Sequence, residues 1–160
     1  MEIINYSSSY ANEIADLYHA SVHAIDPSIY TEDEKEAWAS TPPDYIAWGK
    51  RLDEKKPYLG IIGGKVAGFI ELEKDGHIDC TYTHPDYQGK GVASALYKHI
   101  ETIANSSDIK RLYVEASHIA VPFFKAKGFS IIQKNEIPLK GQVLINFTME
   151  KHIRNLFNSL

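Results

Sequence analysis

Residues 77–104 read HIDCTYTHPDYQGKGVASALYKHIETIA, and the order within this run is strand, glycine loop, helix. Ile78 to Thr83 is short, β-branched and aromatic, as a strand prefers. Pro85 and Asp86 break it. Gln88-Gly89-Lys90-Gly91-Val92-Ala93 then leads into a helical pattern, with Val92, Leu96, Ile100 and Ile103 recurring every three or four residues.

A helix start leaves backbone N–H groups unpaired and carries partial positive charge. Gly89 and Gly91 let the loop turn tightly and let a ligand approach its backbone. Phosphate groups suit such a place, and Lys90 adds charge at the rim. The same spacing also fits a flexible loop that caps an ordinary helix. The six-residue Walker spacing is missing, and so is the three-glycine dinucleotide pattern.

At 160 residues the chain is expected to form one domain over residues 1–150 with a sizeable core. Hydrophobic content of 44% and charged content of 24% are ordinary for a globular protein. The net charge of −4 argues against nucleic-acid binding driven by bulk electrostatics. The single cysteine, Cys80, excludes an internal disulfide and fits a reducing compartment. The start, MEIINYSSSY, shows no signal-peptide pattern, and no apolar stretch is long enough to span a bilayer. A cytoplasmic location with no membrane partner is the expectation.

Elsewhere, Ile3, Ile4 and Tyr6 suggest a first strand, and Ser7 to Ser9 offer an N-cap for a helix over about 10–24. Thr31 with Glu34 is a capping-box pattern opening a helix through Trp38. Asp44 caps a third helix. Tyr58 to Gly63 and Val66 to Glu73 read as strands joined by Gly63-Gly64-Lys65, and Asp75-Gly76 signals a second hairpin into the 77–83 strand. Arg111 to Glu115 is a strand that follows a crossover helix, so it is expected to run parallel to the 77–83 strand. Ser117 starts a helical segment with Phe123 and Phe124. Phe129 to Gln133 and Gln142 to Met149 are the last strands, joined through Pro138 to Gly141. Residues 151–160 read as an amphipathic tail, which could pack on its own domain or on a second copy, leaving a homodimer open. Mixed strands with helices on the sheet faces give an α+β (α/β three-layer) domain.

The stretch HPDYQGKGVASALYKHI resembles motif A of the GCN5-related N-acetyltransferases, Gln/Arg-x-x-Gly-x-Gly/Ala, with Gln88, Gly91 and Ala93 at the defined positions. The resemblance runs from about residue 2 to about residue 150 and is nearest to the YafP-like branch of small bacterial acetyltransferases. It implies a strongly twisted mixed sheet of about seven strands whose fourth and fifth strands splay apart. It implies acetyl-coenzyme A as cosubstrate, a primary amine of a small molecule or protein as acceptor, and no metal. The coenzyme would lie along Tyr82 and Thr83 and on Gln88, Gly89, Lys90, Gly91, Val92, Ala93 and Ser94, with Ser117 and Phe124 as further contacts.

Amine acetylation needs positioning, removal of the amine proton and a donor for the developing oxyanion. The resemblance places the oxyanion donor on the backbone of Thr83 or Tyr82. It places a base near His77, with Asp79 two residues on and Glu115 on the opposite splayed strand as the other candidates. Each of these carboxylates could equally serve the fold alone. In the family a tyrosine commonly protonates the departing thiolate. Here that position holds Phe124, which cannot donate, so water or Tyr82 would serve. This departure also motivates a rival reading, a non-catalytic acyl-coenzyme A binding or sensing module. Asparagine is often found where Ser117 stands. Acceptor candidates are His23, Tyr30 and Trp38, with His19 and Trp48 behind them. His23 and Tyr30 flank the Asp26-Pro27 break, although aromatics at helical spacing are mostly core.

Overall fold

The computed structural model describes residues 1–153. Seven strands and five helices follow in the order β1 (Glu2–Asn5), α1 (Ala11–His23), α2 (Glu32–Trp38), α3 (Tyr45–Lys55), β2 (Tyr58–Ile62), β3 (Lys65–Leu72), β4 (His77–Thr83), α4 (Val92–Asn105), β5 (Arg111–Ser117), α5 (Val121–Ala126), β6 (Ser130–Leu139) and β7 (Gln142–His152). The strands form one mixed sheet in the order β1-β2-β3-β4-β5-β7-β6. β4 and β5 are parallel and pair at His77–Tyr113 and Ile78–Val114. This short register accords with the splayed pair that the resemblance implies.

The residues gather into two compact units, Met1–Glu71 with Cys80–Lys98, and Leu72–Asp79 with His99 onward. In the first, Ala11, Ile14, Leu17, Leu52, Leu59, Val66 and Phe69 form a buried cluster. In the second, Leu112, Val114, Phe124 and Met149 are buried.

Local sequence signals account for most boundaries. Thr31 and Glu34 form the full capping box at the start of α2, and the Asp44 side chain accepts from Ala47 N–H at the start of α3. Gly63 (φ 56°) and Gly64 (φ 78°) make the β2–β3 turn. At Gly76 (φ 97°) a Cβ would stand 1.9 Å from the Arg111 carbonyl oxygen, so this turn admits no side chain.

Four boundaries differ from expectation. Ser7–Ser9 do not cap α1, because Ser8–Tyr10 tighten into a 3-10 turn and Tyr10 precedes the helix without a side-chain bond. Ser117 closes β5 rather than starting a helix, and its hydroxyl accepts from Ala120 N–H at 3.3 Å in the turn before α5. β6 runs through Pro138 because Lys140 (φ 47°) and Gly141 (φ 81°) alone make the turn, and β6 is an edge strand, where proline is tolerated. β7 extends through His152, and Ile153 N–H bonds the Lys110 carbonyl at 2.9 Å. The remaining residues of the expected tail, 154–160, lie outside the described residues. Among the described residues no helix is long and apolar enough to cross a membrane.

Candidate active site

The glycine loop takes the conformation its composition favours. Gly89 (φ 75°) and Gly91 (φ 79°) are both left-handed, and a Cβ built on either would meet nothing within 4 Å. The loop backbone is thus open on the side where side chains are missing. It feeds α4, a helix of 14 residues, whose first-turn N–H groups lack intrahelical acceptors. Val92 is buried while Ser94 is exposed. The Lys90 ammonium lies 5.4 Å from the centre of the Tyr87 ring. Gly68 on β3 lets this helix start come close, since a Cβ there would stand 2.8 Å from Val92 Cγ1 and 3.0 Å from the Tyr82 carbonyl oxygen.

The end of β4 is fixed from two sides. His84 N–H donates to the Ala67 carbonyl on β3 at 2.8 Å. The Thr83 carbonyl points the other way and accepts from Ser21 Oγ of α1, also at 2.8 Å. In a pleated strand the Thr83 N–H shares the side of its carbonyl, away from β3. Ser21 also reaches the Leu17 carbonyl at 2.8 Å, so its one proton is shared. It is 8% exposed. A serine inside the apolar stripe of α1 was the only trace of this contact in the sequence.

Tyr82 sits among aromatic rings, 4.7 Å from Tyr18, 5.9 Å from Phe69 and 6.4 Å from Trp38 between centroids. Trp48 packs on Tyr18 at 4.6 Å. Burial, more than any neighbouring charge, pushes both the Tyr18 and the Tyr82 phenols up. Cys80 lies 3.1 Å from Nη2 of Arg51, and Arg51 also pairs with Glu71. Glu71 is 1% exposed. A charged residue within the apolar run of β3 was the sequence signal for that pair.

In the other compact unit, His77 is held by carboxylates on both ring nitrogens, Nδ1 to Glu73 at 2.7 Å and Nε2 to Glu115 at 2.6 Å. Donor atoms of Glu73, His77 and Asp79 lie within 4.8 Å of one another. The ring stacks on Tyr113 at 4.7 Å. The bond to Glu115 is the largest cause that raises the His77 pKa, to about 9, so the ring carries both protons at neutral pH. Phe124 is fully buried, with Phe123 at 5.2 Å and Phe129 at 5.1 Å.

Of the expected acceptor residues, Tyr30 is 2% exposed and packs edge-on against Trp38 at 5.4 Å. His23 lies beside His19, and its Nε2 is 2.7 Å from the Ala39 carbonyl. The end of α1 is further tied by Lys35, whose ammonium donates to the Ile25 carbonyl at 2.7 Å and to that of His23 at 3.2 Å.

The chain matches the family model of the acetyltransferase (GNAT) domain over residues 27–151, and it belongs to that family of N-acetyltransferases. YafP of Escherichia coli (strain K12), named an uncharacterized N-acetyltransferase, is 29% identical over 93% of this chain and 94% of its own. The branch that the sequence resembles is thereby supported. A GCN5-related N-acetyltransferase from Rhodopseudomonas palustris, also called an aminotransferase, class-II, is 32% identical. Its crystal structure superposes with a TM-score of 0.89 over 95% of each chain. The PaiA N-acetyltransferase of Thermoplasma acidophilum, solved in complex with coenzyme A, shares the fold. It has a TM-score of 0.73 over 95% of this chain and 98% of its own, at 18% identity.

Proposed function

We propose that residues 1–150 form one acetyltransferase domain that moves the acetyl group of acetyl-coenzyme A directly onto a primary amine of a small molecule or a protein. The observation that carries this reading is the pair of left-handed glycines, Gly89 and Gly91, opening directly into the start of α4. The backbone of Gln88–Ser94 would receive the pyrophosphate, which needs N–H donors and no side chains in the way.

The Thr83 N–H would polarise the thioester carbonyl and hold the oxyanion as the amine adds. Its orientation rests on the Ser21 bond to the Thr83 carbonyl. Asp79 would take the amine proton, directly or through water. His77 is not given that task, because at neutral pH it has no lone pair to offer. With Glu115 and Glu73 it positions the strand that bears Asp79. As the carbon–sulfur bond breaks, the coenzyme thiolate takes its proton from water. Phe124 has no proton to give, and burial makes the Tyr82 phenol a poor donor. His23 and Trp38 face the acceptor, and Tyr30 supports Trp38.

A thiol-release assay over an amine library tests this. Wild type is expected to turn over at least one amine. Asp79→Asn is expected to lose about 10²–10⁴ in kcat with acetyl-coenzyme A affinity unchanged. Unchanged kcat in Asp79→Asn would remove Asp79 from the reaction. Tight coenzyme binding with no turnover of any amine would favour the acyl-coenzyme A sensing module.

A further inference from the structure

α1 presents His19 and His23 four residues apart, on one face of the helix. Their ring centroids are 4.2 Å apart, with the planes inclined by 30°. Glu36 of α2 approaches the same place, its Oε2 3.6 Å from His23 Nε2. One nitrogen of each ring and one Glu36 oxygen lie within 4.8 Å of one another. We propose that His19, His23 and Glu36 form a binding site for a divalent transition metal of the Zn²⁺ class. The inference does not depend on the acetyl-transfer reading.

Two imidazoles and one carboxylate are a donor set that suits Zn²⁺ and its neighbours and does not suit Mg²⁺ or Ca²⁺. Three protein ligands leave a fourth position for water. Donors around a tetrahedral zinc stand roughly 3.4 Å apart, so small side-chain rotations close the present spacing. The Ala39 carbonyl, 2.7 Å from His23 Nε2, borders the same space.

Thr41 provides the outer support. Its N–H and hydroxyl donate to Glu36 at 2.6 and 2.9 Å, and its oxygen accepts from His19 Nε2 at 2.7 Å. Without an ion, each Nε2 carries a proton, since its partner oxygen is an acceptor. On metal binding each imidazole moves that proton to Nδ1, and no net proton is released. The charges acting on His19 are those of His23, Glu36 and Asp16. Glu36 and Asp16 supply negative charge on the His19 side, while the Lys35 ammonium stands on the His23 side, donating to the His23 carbonyl at 3.2 Å.

The test titrates the full chain, without a polyhistidine tag, with Zn²⁺ by calorimetry and with Co²⁺ by visible absorption. The expected result is one Zn²⁺ per chain and a tetrahedral Co²⁺ band. His19→Ala and Glu36→Gln should each weaken binding by more than about tenfold, and Thr41→Val by about tenfold. His77→Gln, which dismantles the Glu73–His77–Asp79 group, should leave affinity as it was. Absence of binding in wild type would overturn the proposal. So would undiminished affinity in folded His19→Ala and Glu36→Gln, or a loss confined to His77→Gln.

Discussion

The two halves of β4 are one strand in two chemistries. From His77 to Asp79 the neighbours are charged: Glu73 and Glu115 on His77, and Asp75 accepting from the Tyr113 hydroxyl at 2.5 Å. The Arg111 guanidinium lies 4.5 Å from the centre of the Tyr113 ring. From Cys80 to Thr83 the neighbours are the rings of Tyr18, Phe69 and Trp38 and the half-buried Arg51, paired with the buried Glu71. In the first half, hydrogen bonds to carboxylates raise an imidazole. In the second, loss of water raises a phenol. One half therefore holds a charged imidazole between carboxylates at ordinary pH, while the other keeps its polar atoms in a dry setting.

The strongest perturbation of this contrast should come from the dry half. Arg51→Ala takes the guanidinium from a nearly fully buried carboxylate and should lower unfolding free energy by about 3 kcal/mol, read by urea denaturation. Arg51→Ala paired with Glu71→Leu should recover much of that loss. A single variant as stable as wild type would show that the pair contributes nothing.

A smaller effect is expected at the strand end. Ser21→Ala removes the donor to the Thr83 carbonyl and should cost about 1 kcal/mol of stability. If Thr83 positions the oxyanion donor, kcat should fall more than stability implies, with KM for acetyl-coenzyme A little changed. Equal effects on the two would make Ser21 a packing residue only.

The effect in the charged half appears as a slope with pH. His77 has its pKa raised from 6.5 to about 9 on folding. A raised pKa stabilises the fold fully below the unfolded value and loses that contribution as pH rises through the folded one. Wild-type stability should therefore fall between about pH 6.5 and pH 9, and His77→Gln should flatten the decline. The same slope in both proteins would assign the titration to another group.

The parts of this molecule that the sequence made legible are local. The Thr31–Glu34 box, the Asp44 cap, the Gly63-Gly64 turn and the Gln88–Ala93 loop each need only a few adjacent residues to specify them. The less legible parts are contacts between distant residues. Ser21 meets Thr83 across 62 positions, and Arg51 meets Cys80 across 29. His77 and Glu115 were both visible as candidates, but their bond across 38 positions, which charges the ring, was not. The extension of β6 through Pro138 was hidden for a related reason. Proline reads as a breaker unless the strand is known to lie at an edge.

Titration of acetyl-coenzyme A into wild type and Gly91→Asp by calorimetry tests the central claim most directly. Wild type should bind one molecule per chain. Gly91→Asp, with an unfavoured left-handed backbone and a carboxylate where the pyrophosphate would sit, should lose more than about a hundredfold in affinity. Equal, tight binding in both proteins would contradict the assignment of the Gln88–Ser94 loop.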